Sequence, residues 1–276
     1  MILREGLHLF KSALSDLFFP PVCAFCEAPV VGSDASLCDA CCHSVDAVNE
    51  PMCAQCGLPV PALAVLGSGS CGRCLADPPR YDRARYAVYY QGAVRDALVR
   101  FKFAGALHVA TALSQILTEA FRRHFQPADF DLIVPVPIHR RRLIHRGFNQ
   151  VVVLAKKLSQ DTGILLDRTS FKKIKDTPPQ VGLTRPARVK NLRGSFGIQR
   201  SNRIRGRKVL LVDDVATTGS TIAEAAKTIM RGGAARVDVL VLAVRMEVSR
   251  PAEYHAPVAT SEQLITDKSP SSEDHQ

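Results

Sequence analysis

All nine cysteines of the 276-residue chain fall within its first 74 residues. Eight of them form C-x-x-C pairs: Cys23/Cys26, Cys38/Cys41, Cys53/Cys56 and Cys71/Cys74. One such pair suits a redox dithiol, but four in register read as metal binding. Zinc takes four thiolates in a tetrahedron, and two knuckles supply them. The first four cysteines are spaced C-x2-C-x11-C-x2-C and the second four C-x2-C-x14-C-x2-C, both near the zinc-ribbon range. A segment this small and poor in apolar runs cannot bury a core of its own, so two structural zinc ions are expected to cross-link it. Pairing in sequence (23, 26, 38, 41, then 53, 56, 71, 74) is the simplest arrangement, and an interleaved one is also open. Cys42 either replaces Cys41 as a ligand or fills space as a small hydrophobe; Cys41 keeps the x2 spacing. Catalytic zinc needs an open coordination position, which all-cysteine sites rarely leave, so a structural role is favoured. Gly57, directly after Cys56, suits the tight turn that follows a metal knuckle.

Past residue 75 the pattern changes. Asp77-Pro78-Pro79 reads as a linker. Strands are predicted over 84–90, 131–136, 171–175, 208–212 and 236–244, and helices over 93–103, 108–125, 148–160 and 220–231. This alternation predicts an α/β fold over residues 80–250, a mainly parallel sheet flanked by helices, beside a small zinc module over 23–76. Residues 176–206, rich in Pro, Gly and Arg, read as a long mobile loop, and the polar tail 251–276 as disordered. At the other end Leu3, Leu7, Phe10, Leu14 and Leu17 recur at spacings of three and four. Residues 1–22 should therefore carry an amphipathic helix that packs on the protein and stops at Pro20-Pro21. No apolar run approaches the roughly 18 residues of a membrane span. Glu5, His8, Lys11 and Asp16 interrupt what a signal peptide would keep apolar, so the chain is read as cytoplasmic.

The run Val209-Leu210-Leu211-Val212-Asp213-Asp214-Val215-Ala216-Thr217-Thr218-Gly219-Ser220-Thr221 carries the sharpest chemical signal. An apolar strand meets two acids, then a small hydroxyl-rich turn opens a helix. Backbone N–H groups at such a turn form an anion nest. Thr217, Thr218, Ser220 and Thr221 add hydroxyl donors, and Gly219 lets backbone approach a phosphate closely. Asp213 and Asp214, at the carboxyl end of the strand, can accept hydrogen bonds from ribose hydroxyls. The pattern points to a phosphorylated sugar. It is not a Walker loop, because no G-x4-G-K-[ST] occurs. Charge agrees: the chain carries a formal +10, and residues 139–208 hold 19 Lys or Arg against Asp161, Asp167 and Asp176. Such a segment attracts phosphates, on a metabolite or on a nucleic-acid backbone, or serves as a solvated face.

Further runs carry a resemblance. They are Phe101-Lys102-Phe103, Val134-Pro135-Val136-Pro137, Arg141-Arg142, Arg146-Gly147-Phe148-Asn149-Gln150, Thr177-Pro178-Pro179-Gln180, Leu183, Arg188, Asn191 and Gly194-Ser195-Phe196. With the cysteine pairs and the strand–turn–helix run, these resemble the ComF/GntX family of competence-associated proteins, which are similar to type I phosphoribosyltransferases, over roughly residues 17–245. Lys172-Lys173-Ile174-Lys175 departs from a family that tends to carry Arg there; Lys keeps the charge but loses the planar fork. The resemblance implies a site for 5-phosphoribosyl pyrophosphate with a magnesium ion. Asp213 and Asp214 would hold the ribose, and Ala216, Thr217, Thr218, Gly219, Ser220 and Thr221 the 5-phosphate. Arg140, Arg141, Arg142 and Arg146 would lie near the pyrophosphate. Segment 176–196 would be a hood closing with Gln180, Arg185, Arg188 and Lys190. It also implies a link to DNA uptake and to competence proteins as partners.

An enzyme of this kind would displace pyrophosphate from ribose C1 with a nitrogen nucleophile, through an oxocarbenium-like transition state. No base-recognition segment is evident after Arg245, so the acceptor is not identified by the sequence. The rival reading is a protein that senses 5-phosphoribosyl pyrophosphate and binds single-stranded DNA through its basic groove. Aromatics at 6%, with no Trp, leave few stacking platforms, and Tyr86, Tyr89 and Tyr90 read as core.

Overall fold

The computed structural model describes residues 21–30, 36–61, 69–103, 106, 108–177 and 185–246. The helix predicted near the N-terminus and the tail 251–276 lie outside the described residues; of the segment 1–22 only residues 21 and 22 are described. The centre is a parallel sheet of five strands in the order β1-β7-β6-β2-β3. These are β1 (Ala84–Tyr89), β2 (Leu132–Pro135), β3 (Leu165–Leu166), β6 (Lys208–Ala216) and β7 (Arg236–Val244). A two-stranded antiparallel unit, β4 (Phe171–Lys173) and β5 (Phe196–Ile198), stands apart from it. Among the described residues no helix is long and apolar enough to cross a membrane.

Strand periodicity sorts the core into two layers. On β6, Leu210 and Val212 pack on one face, with Leu113 and Leu117 of α4 (His108–His124) and Leu154 and Leu158 of α6 (Gln150–Thr162). Val209 and Leu211 pack on the other, with Ile222, Ala225 and Ile229 of α9 (Ser220–Arg231). Burial on both faces is why the central strands read as continuous apolar runs rather than as alternation. Helix α6 is bounded by its own sequence. Asn149 accepts from the Val151 N–H at 3.1 Å, and Gly163 closes the helix in a left-handed conformation.

The cysteine segment, with α1 (Asp39–Ser44) and α2 (Gly72–Ala76), lies along the free edge of β1. Val48 N–H donates to Ala87 O at 3.0 Å, Tyr89 N–H to Asp46 O at 2.9 Å and Ala84 N–H to Gln55 O at 2.7 Å. An edge strand left open is an aggregation template, and this one is satisfied by the knuckle loops. Arg100, on α3 (Gly92–Phe103), adds a second tie through Glu27 and the carbonyls of Ala24 and Phe25.

Two expectations are corrected. Described residues within 176–206 are not an open loop: they form α7 (Arg185–Leu192), β5 and α8 (Ser201–Ile204). Isolated apolar anchors hold this stretch, with Phe196 stacked on Phe171 at 5.1 Å and Leu192 and Ile204 fully buried. Such anchors leave no periodicity to read. Strand β6 also continues past residue 212 to Ala216, because its register with β7 holds both Asp213 with Val241 and Ala216 with Val244. Helices α1, α2 and α5 (Arg140–Arg146) and strand β3 went unforeseen; α5 carries four Arg and one His beside Leu143 and Ile144 and shows no apolar stripe.

Gly57 marks the closest docking point. Its φ is +66°, and a Cβ there would stand 2.0 Å from the Ala84 carbonyl oxygen. Gly163 shares the left-handed φ, at +74°, with nothing within 4 Å. Gly163→Ala should therefore cost only the backbone penalty, about 1 kcal/mol. Gly57→Ala should cost at least about twice that and lower Tm by more than about 4 °C, because backbone must separate from backbone. Thermal unfolding of the two variants checks the order; equal losses would contradict the docking.

Candidate functional site

The carboxyl end of β6 builds the site. Adjacent residues on a strand face opposite ways, so the acid pair divides. Asp214 turns to the α3/α6 layer, where Lys102 Nζ stands 2.8 Å away and Gln150 Nε2 donates at 2.9 Å. Arg146 donates in turn to Gln150 at 2.7 Å, and its guanidinium lies 5.2 Å from the centre of the Phe103 ring. Asp213 turns instead into a cavity of about 260 Å³. Lys102, Arg142 and the residues from Val215 to Ile222 line it with Asp213. Both acids are only 6% exposed. Burial, and after it the charge of Asp214, pushes Asp213 well above the usual carboxylate range. Burial acts on Asp214 in the same direction, but Lys102 and Gln150 override it and hold that group below the range.

The turn follows as the sequence predicts. Gly219 takes a left-handed φ of +74° at the N-terminus of α9, and the hydroxyls of Thr218 and Ser220 stand 2.9 Å apart. Arg142 reaches the cavity while donating to Thr177 O at 2.8 Å. Arg141 points outward, 3.3 Å from Asp176, and Arg140 is exposed with no ion pair among the described residues. Lys190 is exposed on α7. Gln180 lies outside the described residues, as do the side chains of Arg185 and Arg188. The structure thus brings Asp213, Asp214, Arg142, Arg146 and the turn together, and leaves Arg140 and Arg141 at the rim.

Three participants had no role assigned from sequence. Lys102 and Gln150 sat inside the family-like runs, but only the fold shows them closing on one carboxylate. Lys173, on β4, is half-buried; burial, then the Arg142 charge, lowers its pKa, while Asp213 opposes the shift. A Lys that feels the charges of a distant Arg and Asp has no linear signature.

The cysteines form two tetrads paired in sequence: Cys23, Cys26, Cys38 and Cys41, then Cys53, Cys56, Cys71 and Cys74. In each, the sulfur atoms lie within 4.8 Å of one another. Tetrahedral zinc–thiolate geometry sets sulfurs about 3.8 Å apart, and Cys26–Cys38 and Cys56–Cys71 stand at 3.6 and 3.9 Å. Backbone N–H groups of Phe25 and Cys71 point at the sulfurs of Cys23 and Cys53. The donor set fits zinc. Interleaved pairing is excluded, and Cys42 joins neither tetrad. The second ribbon also walls a groove of about 370 Å³, in which Cys56, Arg73, Cys74 and Tyr81 face Thr217–Ser220 of the turn.

A parallel sheet whose central strand ends in an acid pair and an anion-cradling turn, with zinc ribbons on its edge, defines a zinc-ribbon protein of the phosphoribosyltransferase fold. The double zinc ribbon domain family matches residues 14–75, and the phosphoribosyl transferase domain family residues 145–276. The DNA utilization protein YhgH of Salmonella typhimurium is 34% identical over 229 residues, which cover 82% of this chain and 98% of its own. Competence protein F of Haemophilus influenzae is 31% identical over 230 residues, again covering 82% and 98%. The chain belongs to this ComF family of competence and DNA utilization proteins. Among solved structures, a purine phosphoribosyltransferase from Pyrococcus horikoshii is similar over 55% of this chain and 93% of its own, at 18% identity and a TM-score of 0.32.

The Asp214–Lys102 pair yields a prediction. Lys102→Met strands a buried carboxylate and should cost on the order of 3 kcal/mol near neutral pH. Because the folded pKa of Asp214 is depressed, its contribution is complete above the unfolded value of about 3.9 and is lost as the pH falls through the folded value. Denaturant unfolding should show the gap between variant and wild type narrowing in acid. Adding Asp214→Asn should recover part of the loss; strict additivity would contradict the pairing.

Proposed function

We propose that the chain binds 5-phosphoribosyl pyrophosphate and transfers its phosphoribosyl group to a nitrogen acceptor, displacing pyrophosphate. The observation that carries this reading is Asp213, a carboxylate with almost no exposure, facing a cavity that otherwise offers cations, hydroxyls and backbone N–H groups. In this reading the residues from Ala216 to Thr221 cradle the 5-phosphate. Asp213 accepts from the ribose hydroxyls, and Asp214 holds Lys102 in the cavity wall. Lys102, Arg142 and Lys173 face the diphosphate, with Arg140, Arg141 and Arg146 at its approach. Gln180, Arg185, Arg188 and Lys190 belong to the segment that covers it.

Asp213 also fits a hard cation, since its burial is not offset by any salt bridge among the described residues. Magnesium, when bound, would neutralise the diphosphate and ease its departure. The protein's own part is position and charge. The turn fixes the ribose end, and the cations stabilise charge that grows on the leaving diphosphate as C1 becomes cationic. The low-dielectric wall strengthens each of these contacts.

Calorimetric titration tests the reading. Wild type should bind 5-phosphoribosyl pyrophosphate with magnesium, and Asp213→Asn should lose about 1.5–3 kcal/mol, the worth of a charge-assisted hydrogen bond. Unchanged affinity in the variant would misplace the site. A second reading, single-stranded DNA binding, is supported by Arg203, Arg205 and Arg207, which are exposed on the outer face by α8. The name of the YhgH relatives also points toward DNA. Reversing the three to Glu should weaken retention of single-stranded DNA at low salt and leave 5-phosphoribosyl pyrophosphate affinity unchanged. A wild type that retains no DNA at about 50 mM salt would end this second reading.

A further inference from the structure

A second cavity, of about 450 Å³, opens at the carboxyl ends of β1 and β7. Tyr90, Gln91, Gly92, Arg95, Val99 and Arg245 line it. It adjoins the first in two ways. Arg245 N–H donates to the carbonyl of Ala216, where the phosphate turn begins, at 2.8 Å. Arg95, Val99 and Lys102 recur at four and three residues along α3, so they share one helix face. Seven residues of helix span about 10 Å, roughly the length of a ribose and one attached ring. The face of α3 therefore runs from this cavity to the acid pair.

The chemistry of the lining is cationic. Among the described residues Arg95 and Arg245 have no ion-pair partner and no acid lines the cavity. One step back from the cavity, Gln91 Nε2 donates to Asp46 at 2.8 Å. Tyr90 supplies an aromatic wall and Val99 an apolar one. An uncharged nucleobase would leave both guanidinium groups unused, whereas a carboxylate or phosphate would take them as forked donors.

Resting on the reading that the first cavity holds 5-phosphoribosyl pyrophosphate, we propose that the second is the acceptor subsite, and that the acceptor is a nitrogen nucleophile carrying a carboxylate or phosphate. Its nitrogen lone pair forms the bond to C1. The C1–O bond breaks with its electron pair leaving on pyrophosphate, and the nitrogen gives up its proton to water. Arg95 and Arg245 hold the acidic end and take no part in bond making.

Matched probes test this on the full zinc-loaded chain. Titration with 5-phosphoribosyl pyrophosphate and magnesium alone comes first; no binding there overturns the underlying reading. With that ligand saturating, anthranilate is compared with aniline, and phosphoethanolamine with ethanolamine. The anionic member of at least one pair should bind at least about tenfold tighter, as expected of a charge-assisted contact. Which pair responds separates carboxylate from phosphate. Arg95→Gln with Arg245→Gln should abolish the preference and leave the first titration unchanged. Equal binding within both pairs, or a preference that survives in the double variant, overturns the acceptor inference while the first cavity's assignment stands.

Discussion

Two neighbouring carboxylates buried in a central strand set the terms for the rest of this structure. Asp213 and Asp214 are each only 6% exposed, and a buried charge must be paired or given up. Strand geometry resolves the conflict by sending them to opposite faces. Asp214 is neutralised within the protein by Lys102 and oriented by Gln150. Asp213 is left facing a cavity whose other walls are cationic and hydroxylated. The imbalance created by folding is what a hydroxylated, metal-bearing phosphate ester would relieve. The same pair explains why α3 and α6 converge on the end of β6: one brings the cation and the other the amide.

The zinc ribbons act on this arrangement from the side. They cap β1, which pairs with β7, which pairs with β6, so the edge they satisfy is two strands from the acid pair. The second ribbon comes closer still, since Cys56 and Cys74 share a groove with Thr217–Ser220. A segment too small to hold a core would gain rigidity from metal, and it stands against the turn proposed to cradle the phosphate. Gly57 allows this approach, because any side chain there would meet the backbone of β1.

Much of this was legible in the residues themselves. The tetrads followed from spacing, and the structure needed only to choose between two pairings. The strand–turn–helix announced itself because an apolar run, two acids and four hydroxyls fall in one short stretch. The long β-strands were readable as apolar runs, and the amphipathic helices from periodicity. What escaped was held together across the chain. Lys102 meets Asp214 across 111 intervening positions, and Lys173 feels the charges of Arg142 and Asp213 through folding alone. Helix α5 and the units within 185–204 carry too few apolar residues to show a period, so charge and glycine content dominated the reading. The division of the acid pair between two faces needed the length of β6, and that length was underestimated because acids read as the end of a strand.

On the proposed reading, the cavity at the end of β6 holds a phosphorylated ribose. A crystal structure of the zinc-loaded protein with 5-phosphoribosyl pyrophosphate and magnesium tests it most directly. The 5-phosphate should lie against the backbone of residues 217–221 and the ribose hydroxyls on Asp213, with Lys102 still paired with Asp214. A ligand bound elsewhere, with the turn empty and Asp213 untouched, would contradict it.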